Sequence, residues 1–208
     1  MTPEMDIEGE YRYLLNGESA PVEEHWRIKS LDGDQRLMTS ERIAPGIRIK
    51  VNATEQAGIV SQCQIAWQSE QSDELTVEYF LAAESFRYRL GDDDWRSVSP
   101  DTGDSLVLYP LMRIFTGPVI LRLAALGGEG DVLVPAIGDP SDRDGLLRPE
   151  LTRRCVTHLA SEADGDLWQF TGGQYDESAR FWIDSSGLLA RYLWRQDADR
   201  EWDVRLQM

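Results

Sequence analysis

Lysine is almost missing from this chain: Lys29 and Lys50 are two of 21 basic residues, and the other 19 are arginines. Few side chains are therefore available for Schiff-base chemistry. The arginine excess reads as the codon bias of a GC-rich, bacterial genome. Histidine and cysteine are equally scarce, with two of each. Zinc needs three or four Cys, His or carboxylate ligands, and His25 and His158 are far apart, so no metal site is expected. Cys63 and Cys155 are also distant, and an intracellular chain keeps both reduced. Positive charge is short overall, 37 acids giving a formal net charge of −16. Such a field repels phosphate backbones and anionic surfaces, and the only adjacent basic pair is Arg153–Arg154. Nucleic-acid binding is excluded.

Long apolar runs are lacking too. The most apolar stretch, Leu106 to Leu126, is interrupted by Arg113 and Arg122, so no membrane span is expected. Met1 to Leu15 carries acids where a signal peptide needs basic residues. These features point to the cytoplasm.

What is present is alternation. Tyr11, Tyr13 and Leu15 share a face, followed by the turn pair Asn16–Gly17. Val22, Glu24, Trp26 and Ile28 face one way; Glu23, His25, Arg27 and Lys29 face the other. Asp32–Gly33 supplies a second turn. Ile47, Ile49 and Val51 alternate with polar neighbours, as do Ile59 to Trp67, Leu75 to Leu81 and Phe86 to Leu90. The first ninety residues thus read as about seven antiparallel strands. The final forty return to strands at Leu167–Phe170, Ala179–Asp184, Leu188–Arg195 and Trp202–Gln207. Between the two halves the alternation stops. Thr116 is expected to cap a helix with Pro118 in its first turn, ended by Gly127–Gly128. Glu150 to Ala160 is expected to be a second helix, with Pro149 just before it. The expected organisation is one domain over 1–208: a β-meander at 8–98, an apolar helical insert at 105–160 and a second meander at 166–207. The fold class is mainly β, a curved antiparallel half-barrel or barrel, with a plain β-sandwich as the alternative.

Catalytic motifs are absent. Ser185–Ser186–Gly187 is a hairpin turn, not a nucleophile elbow. Gly127–Gly128–Glu129–Gly130 lacks the phosphate-binding lysine. Asp139 to Gly145 resembles a calcium loop, but with Gly145 at the sixth position the first place holds Pro140 and the twelfth Leu151, so two ligands fail. Cys155 and His158 would share a face if helical, a two-ligand fragment at best, with the thiol packed inside. No cofactor is implied. Two features remain. Seven Trp, seven Tyr and five Phe suit a large apolar inner face. Arg113, Arg122, Arg148, Arg153 and Arg154 cluster in or beside the apolar insert, either paired with acids or open to a carboxylate or phosphate head group.

The meander Tyr11–Ile28, the run Ile59–Leu90 and the ending Phe181-Trp182-Ile183-Asp184-Ser185-Ser186-Gly187-Leu188 resemble the bacterial half-barrel proteins typified by the periplasmic lipoprotein carriers and by cytosolic proteins described as glycolipid-binding. The resemblance lies in layout. It implies a strongly curved sheet around an insert, with an apolar concave face. The expected function is non-enzymatic binding of an apolar or amphipathic, lipid-like small molecule. The rivals are a protein-interaction or structural domain, a homo-oligomer included, and a cofactor-independent hydrolase using carboxylates. If a ligand is bound, the expected contacts are Arg113 at the mouth with Tyr109, Met112 and Phe115, together with Arg148 and Arg153.

Overall fold

Among the described residues, fifteen strands form one sheet in the order β8-β7-β6-β5-β4-β3-β2-β1-β15-β14-β13-β12-β11-β10-β9. The structure, a computed structural model, describes residues 6–32, 34–70, 72–82, 85–98, 106–138, 142 and 145–208. The first half is a meander: β1 (Asp6–Leu15), β2 (Glu18–Ser30), β3 (Gln35–Ala44), β4 (Ile47–Gln56), β5 (Ile59–Ser69), β6 (Ser72–Ala82), β7 (Ser85–Leu90) and β8 (Arg96–Val98). The second half comprises β9 (Val107–Leu108), helix α1 (Thr116–Ala125), β10 (Glu129–Pro135), β11 (Pro149–Glu162), β12 (Gly165–Thr171), β13 (Arg180–Ile183), β14 (Leu189–Arg195) and β15 (Glu201–Gln207). All described pairings are antiparallel except β9 on β10.

The halves join where β15 pairs with β1, from Glu10 opposite Gln207 to Leu15 opposite Trp202. Alternation sets which face is inside. In β4, Ile49, Val51 and Ala53 are buried while Arg48, Lys50 and Asn52 are exposed. The Asn16–Gly17 turn has both residues at positive φ, +53° and +83°, the conformation that two-residue hairpins require. The sheet curls so far that β9 and α1 pack across the interior against β5. This is the mainly β, curved half-barrel expected from the sequence, and not two stacked sheets.

Helix α1 fills the inside of the curl, with Val119, Ile120 and Leu123 buried. Gly127 and Gly128, at φ +97° and +94°, end it. Its start differs from the expectation. One 3₁₀ turn, Arg113–Phe115, leads directly into Thr116, and the cap position is Phe115, with no side-chain bond. The Thr116 hydroxyl shares a hydrogen bond of 2.9 Å with the Tyr109 hydroxyl instead.

The second expected helix is wrong. Glu150 to Ala160 lies within β11, paired with β10 and β12, so among the described residues the insert is helical only at 113–125. The reason is local. The inward face of β11 runs Thr152, Arg154, Val156, and two polar residues in three hide the period-2 signal. Cys155 and His158 consequently point to opposite faces of a strand. Cys155 is exposed, not packed inside. His158 sits edge-on to Trp168 at 4.9 Å and 3.4 Å from an Asp166 oxygen. Cys63 is buried, as expected. Gly33, and most of the Asp139–Gly145 loop, lie outside the described residues. Within that loop Asp142 accepts the Gly145 amide at 3.0 Å.

Candidate functional site

Polar groups converge inside the curl at two adjoining centres. The first is Glu24. The alternation of β2 turns it inward between Val22 and Trp26, and it is 0% exposed. A buried carboxylate needs both a counter-charge and hydrogen bonds. Arg42 of β3 supplies the charge, donating Nε at 2.8 Å and Nη2 at 2.6 Å to one Glu24 oxygen. The Tyr13 hydroxyl donates to that oxygen as well, and the Arg113 backbone amide donates to the other at 2.7 Å. Arg42 Nη2 also reaches the Leu111 carbonyl at 3.2 Å. Glu24 and Arg42 therefore clamp the segment that enters α1.

That segment is strained. The Leu111 amide bonds the Tyr109 carbonyl at 2.9 Å and the Met112 amide bonds the Pro110 carbonyl at 2.8 Å. The second is a γ-turn with Leu111 at φ +67°, a conformation that is rare for a branched side chain.

The second centre holds two arginines. Arg113 Nη1 donates to the Tyr175 hydroxyl at 2.7 Å, and its guanidinium lies 4.8 Å from the Tyr192 ring centre. Arg113 Nε is enclosed and has no acceptor. Arg154 is 4% exposed. It donates Nε to Thr152 Oγ1 at 3.2 Å and Nη1 to the Gly172 carbonyl at 3.0 Å, beneath the rings of Phe170 and Tyr175. Among the described residues neither guanidinium has a carboxylate partner. By contrast, Arg42 has Glu24, Arg36 has Glu55, and the more exposed Arg27, Arg48, Arg89, Arg191 and Arg205 also have acids.

The electrostatics follow from that imbalance. Burial pushes the Tyr175 phenol up, but the Arg113 charge and hydrogen bond outweigh it, with Arg154 adding, so its pKa falls below the ordinary value. Burial lowers the Arg154 guanidinium from its ordinary value, against the opposing effect of Tyr109 and Tyr175. Tyr192, packed by the same groups, is pushed up by burial.

The sequence-derived residues divide. Tyr109, Met112 and Phe115 are buried in the core, and Arg113 stands among them with its Nε enclosed. Arg148 is exposed. Arg153 is exposed on the outer face of β11, bonded to Glu129 at 2.7 Å and Asp131 at 3.4 Å. Its neighbour Arg154 is the one brought beside Tyr175. Sequence reasoning missed Glu24, Arg42, Tyr175 and Tyr192 as site residues. For Glu24 the signal was present: a lone acid on an otherwise apolar strand face. For Tyr175 there was none, because it lies in the loop between β12 and β13. Among the described residues the two fully buried acids, Glu24 and Glu55, are each held by an arginine and form no carboxylate pair.

The architecture defines a mainly β, barrel-like protein whose own insert occupies its concave face. Among solved structures the chain is similar to a beta-barrel-like protein of domain of unknown function DUF1849 from Brucella abortus. The TM-score is 0.50 over 96% of this chain and 94% of that chain, at 10% identity. At that identity the likeness speaks to the fold alone. No protein-family model matches the chain, and no curated protein does. Among the described residues no helix is long and apolar enough to cross a membrane.

Proposed function

We propose that the protein is a non-enzymatic binder of an anionic, amphipathic small molecule, its head group held by Arg113 and Arg154. One observation carries this reading: among the described residues, two inward guanidinium groups lack carboxylate partners in a chain of net charge −16. Charges taken out of water need compensation, and an anion supplies it. The rings of Tyr192, Phe170 and Tyr175 pack around them and make the surroundings of the two guanidiniums apolar. The cytoplasm is our proposed compartment, where free Cys63 and Cys155 stay reduced.

Native mass spectrometry of freshly purified protein tests the reading. A mass adduct released under mild activation supports it. Arg113→Ala should lose that adduct while its melting temperature stays within about 4 °C of the parent. Large destabilisation of ligand-free Arg113→Ala, with binding unchanged, would sink the binding role.

A second reading has its own support. The insert already fills the concave face, with Leu108, Met112, Phe115, Ile120 and Leu123 all buried. A structural or protein-interaction domain needs no further occupant, and an apo protein of single mass would favour it.

A further inference from the structure

Hydrogen-bond arithmetic at the arginine centre narrows the chemistry of the head group. A guanidinium carries five N–H donors and no acceptor. Arg113 spends one, on the Tyr175 hydroxyl, and its Nε is enclosed with nothing to bond. Arg154 spends its Nε and Nη1 on Thr152 and Gly172. The nearby hydroxyls of Tyr109 and Thr116 share one hydrogen bond of 2.9 Å. Donors therefore outnumber acceptors, and they approach from two separate pieces of chain, the 3₁₀ turn before α1 and strand β11. A carboxylate offers two oxygens in one plane, suited to a single guanidinium fork. A phosphoryl or sulfo group offers three oxygens in a tetrahedral spread, which two guanidiniums on different elements can share.

The loop that carries Tyr175 lies directly against Arg154, with the Tyr175 ring packed on Phe170, Phe181, Tyr192 and Trp194. Gly172 and Gly173 stand at φ +101° and +59°. A Cβ at Gly173 would meet Arg154 Nη2 at 2.4 Å, so the guanidinium lies directly against bare backbone there. Gly173, Gln174 and Asp176 are exposed, while Tyr175 alone turns inward. The loop is held by mutual backbone bonds between Gly172 and Tyr175, at 3.0 and 3.2 Å, by Arg154 on the Gly172 carbonyl, and by the Ser178 amide on Asp176 at 2.9 Å.

We propose that Arg113 and Arg154 form a site for a phosphoryl or sulfo head group, whose oxygen replaces the Tyr175 hydroxyl on Arg113. The proposal rests on the binding function inferred above and narrows its ligand. The fall in the Tyr175 pKa agrees with it, because the field at that hydroxyl favours a negatively charged oxygen.

Calorimetry on the full chain with three probes tests it: decyl phosphate below its micelle concentration, decanoate, and inorganic phosphate. Decyl phosphate should bind at least about tenfold more tightly than decanoate. Arg154→Gln and Arg113→Gln should each weaken it by about tenfold or more, whereas Arg205→Gln, on the outer surface, should not. Tyr175→Phe should bind decyl phosphate more tightly than the parent, since no hydroxyl then has to be displaced from Arg113, and weaker binding would overturn the displacement. If Arg113→Gln fails to fold, Arg113→Lys keeps the charge but loses the fork, and should still weaken binding. Equal or tighter binding of decanoate overturns the oxyanion assignment while leaving the amphiphile reading standing. Inorganic phosphate binding as tightly as decyl phosphate supports the oxyanion site and overturns the amphiphile. If none of the three binds, both fall.

Discussion

Glu24 shows how one side chain joins sheet and insert. It lies on the apolar face of β2, and its two oxygens together take Arg42, the Tyr13 hydroxyl and the Arg113 amide. Glu24→Gln removes the counter-charge and leaves Arg42 buried alone, at an expected cost of about 3–5 kcal/mol. Urea unfolding measures it, and a loss below about 1 kcal/mol would show that the pair adds little. Glu24→Gln combined with Arg42→Met should recover part of the loss, because no charge is then stranded. The buried phenols make a second residue-level prediction. Burial raises Tyr11, Tyr13 and Tyr79 above the ordinary value of 10.0. The native state keeps those protons while the unfolded chain releases them, so stability is intact below about pH 10 and falls as pH rises beyond it. Tyr175 has the opposite sign: its lowered pKa contributes stability above 10.0 and loses it as pH falls through the folded value. Tyr175→Phe should therefore steepen the alkaline loss, read as urea midpoints at about pH 8 and about pH 10.5. An unchanged slope would mean that Arg113 does not favour the phenolate.

At the scale of elements, α1 rests on the turn between β13 and β14 through a glycine. A Cβ on Gly117 would meet the Gly187 carbonyl oxygen at 2.1 Å and the Leu188 carbonyl carbon at 3.2 Å. Gly117→Ala gains helix propensity of about 1 kcal/mol but must lift the helix from backbone that cannot yield. The net expectation is a lower melting temperature, from an overpacking cost of about 1–3 kcal/mol. A rise in thermal midpoint would show that the helix is free to shift. The elements also show where a sequence can and cannot be read. β1 and β5 to β7 were legible because each buries one apolar face, and in β2 and β4 a single inward acid, Glu24 or Glu55, left the alternation readable. β3 was not, since its inward Met38 and Ser40 are followed by Arg42, which is there to meet Glu24. β11 was misread for the same reason, with Thr152 and Arg154 inward. Local pattern failed at β3 and β11, where two inward positions are polar and burial is secured by partners distant in sequence and not by hydrophobicity. The interior arginine was legible as a type, one of a cluster beside the apolar insert. The choice of Arg154 over Arg153 depended on strand parity, which a helix reading had already discarded.

Across the whole molecule, the pairing of β1 with β15 holds two meanders in one sheet. Removing Glu201–Met208 should cut the sheet in half, expose the edges of β1 and β14 together, and abolish cooperative thermal unfolding. Loss of the three-residue β8 at the outer edge should cost far less, since only β7 pairs with it. A truncated chain that still melted in one sharp transition would show that the halves are separately stable. The same pairing has a consequence during translation. The edge of β1 that will receive β15 is made first, and its partner is the last of the fifteen strands to leave the ribosome. At about 5–20 residues per second the nascent meander waits on the order of ten to forty seconds with that edge unpaired. Asp6, Glu8, Glu10 and Arg12 line the outer face of β1 in that interval, and such charges discourage a neighbouring nascent chain from taking the place meant for β15.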